Sequence, residues 1–253
     1  MKGKVALITN SVSTGVATAI GRRLGLAGAR LILTDPNEQK LRSTVAEFKD
    51  VGIKAFGAAV DLSKNEQRKE FFQKIKEKTE VFDVIVPCFP PNRVEGDIAN
   101  TTKMQLDEAY DQVLTTPFRT IKQALPFLLN SKNPSIVFAL SFASYTSFFD
   151  IGLSILATQT AALGMVKAMA KDLGKQRIRV NSVVHGMLTD DGSRAMWTQN
   201  DKEIINGLSS LIPIGRVGKG TDCAPVVEFL ASDRALYITG ENVPVTGGIN
   251  VRL

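Results

Sequence analysis

Short β-branched runs alternate with longer stretches of helical period along the whole chain, and this alternation limits the fold more than any other feature. Val5–Thr9, Arg30–Thr34, Ala55–Val60, Val84–Val86, Ser135–Leu140, Arg179–Val184 and Val243–Val245 read as strands. Between them Val16, Ile20 and Leu24 share one helical face, as do Leu41, Val45 and Phe48, whose helix is expected to stop near Gly52. Strands joined through helices pair in parallel, so the pattern predicts one α/β layer, doubly wound, with helices on both faces. No repeat, linker or low-complexity tract interrupts it, and 253 residues with 44% hydrophobic content suffice for one core. A single domain over 1–253 is expected.

Composition removes several function classes. Cys88 and Cys223 are too few for a disulfide framework and lack the paired spacing of a zinc site, so the chain reads as an intracellular protein without a metal. The formal charge of +6 raises a nucleic-acid partner, but the cations are interleaved with acids, as in Lys64–Glu80, where Phe71, Phe72 and Ile75 turn inward. Such a stretch is a solvated helix face, which disfavours nucleic acid. Met1-Lys2-Gly3-Lys4 runs into Val5-Ala6-Leu7-Ile8 without a cleavage region, and no uncharged apolar segment approaches the length of a membrane span. A soluble protein with no membrane partner is expected.

In a doubly wound sheet, ligands lie beyond the carboxyl ends of the strands where the strand order reverses. The first such turn, Thr9 to Ala17, places Thr9, Ser13, Gly15 and Val16 between a strand and a helix, where backbone approaches a pyrophosphate. It holds one glycine, and an ordinary turn with a Ser or Thr helix cap reads equally well. Asp35 stands about twenty residues beyond Gly15, where a carboxylate accepts from an adenosine ribose and repels a 2′-phosphate, favouring NAD over NADP. It also opens the turn Asp35-Pro36-Asn37. Asp61, with Leu62 beside it, is placed for an adenine amino group or as a cap for the helix near Lys64.

From Lys4 to Gly248 the chain resembles the short-chain dehydrogenase/reductase family. The matching stretches are Lys4-Val5-Ala6-Leu7-Ile8-Thr9, Val60-Asp61-Leu62, Asp172-Leu173, Ile178-Arg179-Val180-Asn181-Ser182 and Tyr237 to Gly248. The tail from Trp197, with Ile214-Gly215-Arg216-Val217-Gly218, Asp222-Cys223-Ala224 and Arg252-Leu253, is similar to the peroxisomal carbonyl-reductase branch. The resemblance implies one Rossmann-like doubly wound domain with a seven-stranded parallel sheet flanked by helices. It implies a homo-oligomer, a dimer or tetramer, built through two long helices at about Lys103–Leu129 and Leu153–Leu173.

The family's chemistry uses a serine and a tyrosine hydroxyl to polarise a carbonyl. The tyrosine gives a proton while a nicotinamide gives hydride, a lysine lowers the phenol's pKa, and an asparagine orders a relay water. Carried over by position, Ser141 is retained, whereas Ile155 stands for the tyrosine, Gln159 for the lysine and Val113 for the asparagine. Isoleucine exchanges no proton, and glutamine has no charge with which to depress a pKa. The cofactor loop after the fourth strand is Pro87-Cys88-Phe89-Pro90-Pro91, and its prolines lack amide hydrogens. Phe89 is expected to enter the cleft. His185 replaces the usual proline after the sixth strand, followed by Gly186 and by Thr189 in the place that contacts the nicotinamide.

Tyr145 and His185 are the two residues able to substitute as proton donors, although Tyr145 also reads as a packed ring and His185 as a turn residue. The leading expectation is therefore a pseudoenzyme with a structural, regulatory or ligand-binding role. It binds NAD or has lost the dinucleotide, and it works with a further protein partner where its role is regulatory. The alternative is a divergent NAD(P)-dependent carbonyl reductase or alcohol dehydrogenase with a rearranged site. The expected location is cytoplasmic. The terminal Val251-Arg252-Leu253 resembles a peroxisomal address, with Val251 where a small residue is expected.

Overall fold

The computed structural model describes residues 1–90, 96–145, 152–190 and 202–250. All seven expected strands form: β1 (Val5–Thr9), β2 (Arg30–Asp35), β3 (Ala55–Ala59), β4 (Val84–Val86), β5 (Ser135–Ser141), β6 (Arg179–His185) and β7 (Asn242–Val245). They make one parallel sheet in the order β3-β2-β1-β4-β5-β6-β7. The order reverses between β1 and β4, which opens a crevice at their carboxyl ends. Asp35, Ser141 and His185 are each the last residue of a strand, so three candidate side chains stand on the rim of that crevice.

Helices cover both faces. α1 (Gly15–Leu26), α2 (Glu38–Asp50) and α8 (Gly220–Ala231) pack on one side, where Ile20, Leu24, Leu33, Val137 and Val227 are buried together. On the other side α3 (Asn65–Lys76) and α6 (Leu153–Gly174) enclose a core in which Phe82 and Phe127 stack at 4.7 Å. α7 (Lys202–Leu211) precedes α8. The second helix ends at Asp50, with Gly52 at φ +79°, a left-handed turn that favours glycine.

The helix expected over 103–129 is not uniform. It divides into α4 (Lys103–Tyr110), a π-helical turn at Asp111–Thr115 and α5 (Thr116–Leu129). Pro117 has no amide hydrogen to return to the Val113 carbonyl, and its ring crowds that carbonyl. Val113 therefore sits in a widened turn, fully buried, and α6 packs against it.

α6, 22 residues long, is also apolar enough to cross a membrane by length and composition. Here it is a core helix, packed against β5 and β6, with Ile155, Ala162, Val166 and Ala170 buried. Two of the quoted motifs prove to be scaffold. Asn181 donates from Nδ2 to the Ile238 carbonyl at 2.9 Å and accepts from the Glu241 amide at 3.0 Å, which ties β6 to the turn before β7. Arg179 donates to the Leu230 carbonyl at 2.6 Å and so holds the end of α8.

Candidate functional site

The crevice between β1 and β4 holds a cavity of about 240 Å³, lined by Asn10, Asp61, Leu62, Cys88, Pro117 and Thr120 among others. Its floor is set by β1. Thr9 Oγ1 accepts from the Cys88 amide at 3.3 Å, and Asn10 Nδ2 donates to the Cys88 carbonyl at 2.8 Å. Asn10 reaches this position in a left-handed backbone conformation, φ 47°. Burial pushes the Cys88 thiol up to about 12, so it stays a neutral wall of the cavity. Asp61 Oδ1 accepts from the Ser63 amide at 2.9 Å and the Ser63 hydroxyl at 2.7 Å, leaving Oδ2 without a protein donor among the described residues. Thr120 lines the same cavity, 2% exposed, and its buried hydroxyl has no hydrogen-bond partner among the described residues.

Asp35 is also 2% exposed, and protein donors already hold its carboxylate. Oδ2 accepts from the Val12 amide at 3.1 Å and the Ser13 hydroxyl at 2.8 Å, and Oδ1 accepts from the Asn37 amide at 2.9 Å. Both readings of Asp35 thus meet in one residue, which opens its own turn and fixes the first βα turn. Ser13 is spent on Asp35. Thr14 supplies the helix cap by accepting from the Ala17 amide at 3.3 Å, and Val16 is buried.

A residue that the sequence did not mark stands at the start of α1. The backbone carbonyl of Asp190 lies on Gly15, 1.8 Å from where a Cβ would project. Its carboxylate accepts from the Gly220 amide at the start of α8, at 2.8 Å. Gly220 in turn lies against Val16 and Gly15, with only 2.7 Å between a hypothetical Cβ and the Val16 Cα. Two helix N-termini therefore converge beside one acid. Leu188 pairs with Gly218, the Gly218 amide donates to the Met187 carbonyl at 2.9 Å, and the Thr189 amide donates to the Gly218 carbonyl at 3.0 Å, so the segment is pinned. The Thr189 hydroxyl also leans on the Gly218 carbonyl, at 3.4 Å. Gly186 is needed for another close approach, because a Cβ there would meet the Thr246 Cα at 2.9 Å. Residues 191–200 lie outside the described residues, as do Pro91 and residues 251–253.

The positions that the family resemblance assigns to the catalytic groups come together, and they do so as packing. Gln159, 2% exposed, accepts the Ser141 amide hydrogen on Oε1 at 3.1 Å and so clamps α6 to the end of β5. The Ser141 hydroxyl accepts from the Ala143 amide at 3.3 Å and caps the short helical turn that follows. Ile155 and Val113 are buried. The Tyr145 hydroxyl donates to the Asn242 carbonyl at 3.0 Å, well below the strand ends, and burial, reinforced by Glu241, pushes its pKa up. His185 pairs in register with Ser141 across β5 and β6, and its Nδ1 contacts the Gly186 carbonyl at 3.0 Å. Phe89 does not line the cavity described above. Its ring turns into the core and stacks on Phe138 at 6.5 Å, while Pro87 and Pro90 line the cavity.

A family profile described as enoyl-(acyl carrier protein) reductase matches residues 11–250. The chain belongs to the short-chain dehydrogenase/reductase family. It is 30% identical over 253 residues to dehydrogenase/reductase SDR family member 4 of Mus musculus, covering 100% of this chain and 89% of that protein. The fold is similar to a short-chain dehydrogenase/reductase, glucose/ribitol dehydrogenase, from Brucella melitensis, at TM-score 0.89 and 24% identity, covering 100% and 98% of the two chains. It is also similar to the Pseudomonas aeruginosa RhlG/NADP active-site complex, at TM-score 0.90 and 23% identity, covering 99% and 98%. A nicotinamide dinucleotide is the group this family implies. The cavity suits its nucleoside end, with the Asp61 carboxylate as a polar contact. At the start of α1 the Asp190 carbonyl fills the space that a side chain at position 15 would take, so the approach to that turn is narrow.

Proposed function

We propose that this short-chain dehydrogenase/reductase-like chain is a non-catalytic member of its family, retained as a ligand-binding and assembly scaffold. The observation that carries the reading is the Gln159 clamp: an uncharged side chain stands where the resemblance expects a lysine, and its Oε1 accepts the Ser141 amide hydrogen. Ile155 stands in place of a phenol and Tyr145 is bonded to a backbone carbonyl, so neither supplies Ser141 with a proton donor. Loss of a general acid alone removes a rate factor of about 10² to 10⁴. The test is turnover of a panel of ketones, aldehydes and secondary alcohols with NADH, NADPH and their oxidised forms. No turnover above the uncatalysed rate is expected, and turnover with either cofactor overturns the reading.

One observation favours a second reading, a divergent NAD(P)-dependent reductase: His185 is the register partner of Ser141 on the crevice rim. In that case His185→Gln abolishes turnover and the rate follows the imidazole's titration. Assembly as a homo-oligomer, in the cytoplasm, belongs to the proposal. Gly164 on α6 has nothing within 4 Å of a hypothetical Cβ, and Tyr237 and Ile214 are fully or largely exposed. Sedimentation equilibrium reads the oligomeric state directly.

A further inference from the structure

We propose that the free edge of the sheet at β3 takes an extended acidic peptide segment as an added strand. The two edges of the sheet are finished differently. In a parallel ladder only alternate residues of a strand bond to a given neighbour. On β7 the Ser182 amide donates to the Glu241 carbonyl and the Gly186 amide to the Val245 carbonyl, so Asn242 and Pro244 turn their backbone outward. Pro244 has no amide hydrogen and the Asn242 carbonyl accepts from Tyr145, so this edge offers little to another strand. On β3 the Leu31 amide donates to the Lys54 carbonyl and the Val60 amide to the Asp35 carbonyl. Ala55, Gly57 and Ala59 therefore turn outward, and their amides and carbonyls bond to no other group among the described residues. The series ends where the Asp61 amide donates to Gln67 Oε1 at 2.9 Å.

The side chains leave that edge open. β3 reads Ala55-Phe56-Gly57-Ala58-Ala59 and pairs with β2 in unbroken register, so no charge, proline or bulge turns a further strand away. A groove of about 450 Å³ lies between this edge and α2, lined by the apolar Leu41 and Val45 and by Arg42 and Lys49. An added strand alternates its side chains, so one set enters this groove and the other lies on the face that carries Phe56. Phe56 is 38% exposed, with the Lys78 ammonium 4.8 Å from the centre of its ring. Charge selects the occupant. Lys49, Lys54 and Lys78 are exposed and make no ion pair among the described residues, whereas Glu38, the acid lining the groove, is paired with Arg42. Two β3 edges paired about a two-fold axis would set these lysines against their own copies, which disfavours a second copy of this chain. An acidic segment meets them with opposite charge.

The experiment titrates the whole protein into a fluorescently labelled Glu-Val-Glu-Val-Glu peptide and its Lys-Val-Lys-Val-Lys counterpart, read by anisotropy, and follows amide hydrogen exchange of the protein by NMR. The acidic peptide is expected to bind at least about tenfold more tightly than the basic one, and added salt should weaken it. It should slow exchange at the Ala55, Gly57 and Ala59 amides, whereas Phe56 and Ala58 already bond to β2. Ala59→Pro removes an outward amide, keeps the bonds to β2, and should weaken the acidic peptide by about fivefold, the scale of one hydrogen bond. Lys49→Glu with Lys78→Glu changes only exposed side chains, should weaken it by about tenfold, and serves if the proline variant fails to fold. Absent saturable binding, equal binding of the basic peptide, binding that both variants leave unchanged, or binding without slowed exchange at the three outward amides each overturns the proposal. So does a larger species in sedimentation that Ala59→Pro disperses, because a second copy then fills the edge.

Discussion

Val113→Asn restores the side chain that the family resemblance expects on the π-helical turn, and it should destabilise this protein. Val113 is fully buried in a cluster with Phe138, Phe142 and Val184, and α6 packs over the turn. Removing its two methyl groups forfeits about 1.5 kcal/mol of apolar burial. Leaving a carboxamide unpaired in that cluster costs a further 1–3 kcal/mol or so. The sum, about 2.5–4.5 kcal/mol, is a large part of the roughly 5–15 kcal/mol by which a domain is stable. Urea unfolding should show it as a fall in midpoint at unchanged slope, and thermal unfolding as a drop in Tm of roughly 5–18 °C. Val113→Ala removes apolar volume without adding an amide, so the difference between the two variants isolates the polar term. A loss below about 1 kcal/mol in Val113→Asn would mean that the amide finds partners. The reading of Val113 as a position closed to polar side chains would then be refuted.

Two further outcomes follow from buried groups and close approaches. Both thiols are pushed up to about 12, chiefly by burial, from an ordinary value of 9.0. The unfolded thiols ionise first as pH rises, so their contribution is intact below pH 9 and is lost between about 9 and 12. At pH 10 each should have forfeited on the order of 1 kcal/mol. Stability at pH 10 relative to pH 8 should fall more steeply in the wild type than in Cys88→Ala/Cys223→Ala, and equal slopes would contradict the burial argument. Native protein at pH 8 should give no fast reaction with a thiol reagent. Gly15→Ala puts a Cβ 1.8 Å from the Asp190 carbonyl oxygen, so the 188–190 segment must shift at a cost of about 1–3 kcal/mol. Unchanged stability would mean that the carbonyl does not rest on α1.

The division between sequence and tertiary structure is visible in particular residues. Period-two and period-3.6 patterns are local, so all seven strands and the long α6 were legible, as was the end of α2 before Gly52. The π-helical turn was not read, although Pro117 is its local cause, because hydrophobic period alone does not register one extra residue per turn. The sequence placed Asp35, Asp61, Ser141 and His185 near strand ends, since those positions follow from strand boundaries and the rule for doubly wound sheets, whereas Gln159 on α6 was singled out only through the family resemblance. It gave no sign of Asp190, which follows Thr189 at no diagnostic spacing and gains its place only where α1 and α8 meet. Phe89 shows the same limit: an aromatic at a loop can fill a cleft or a core, and the ring of Phe138 on the neighbouring strand decided for the core.

By itself, then, the amino-acid order determined which segments are helix or strand and how they are wound. Only the tertiary structure decided how the remaining polar groups are spent: Gln159 on Ser141, Ser13 on Asp35, Tyr145 on Asn242, and Asp190 on the start of α8. The physical reason is range. Propensity and periodicity act over a few residues, whereas a hydrogen bond satisfied or a helix N-terminus covered depends on partners from 18 to 97 positions away.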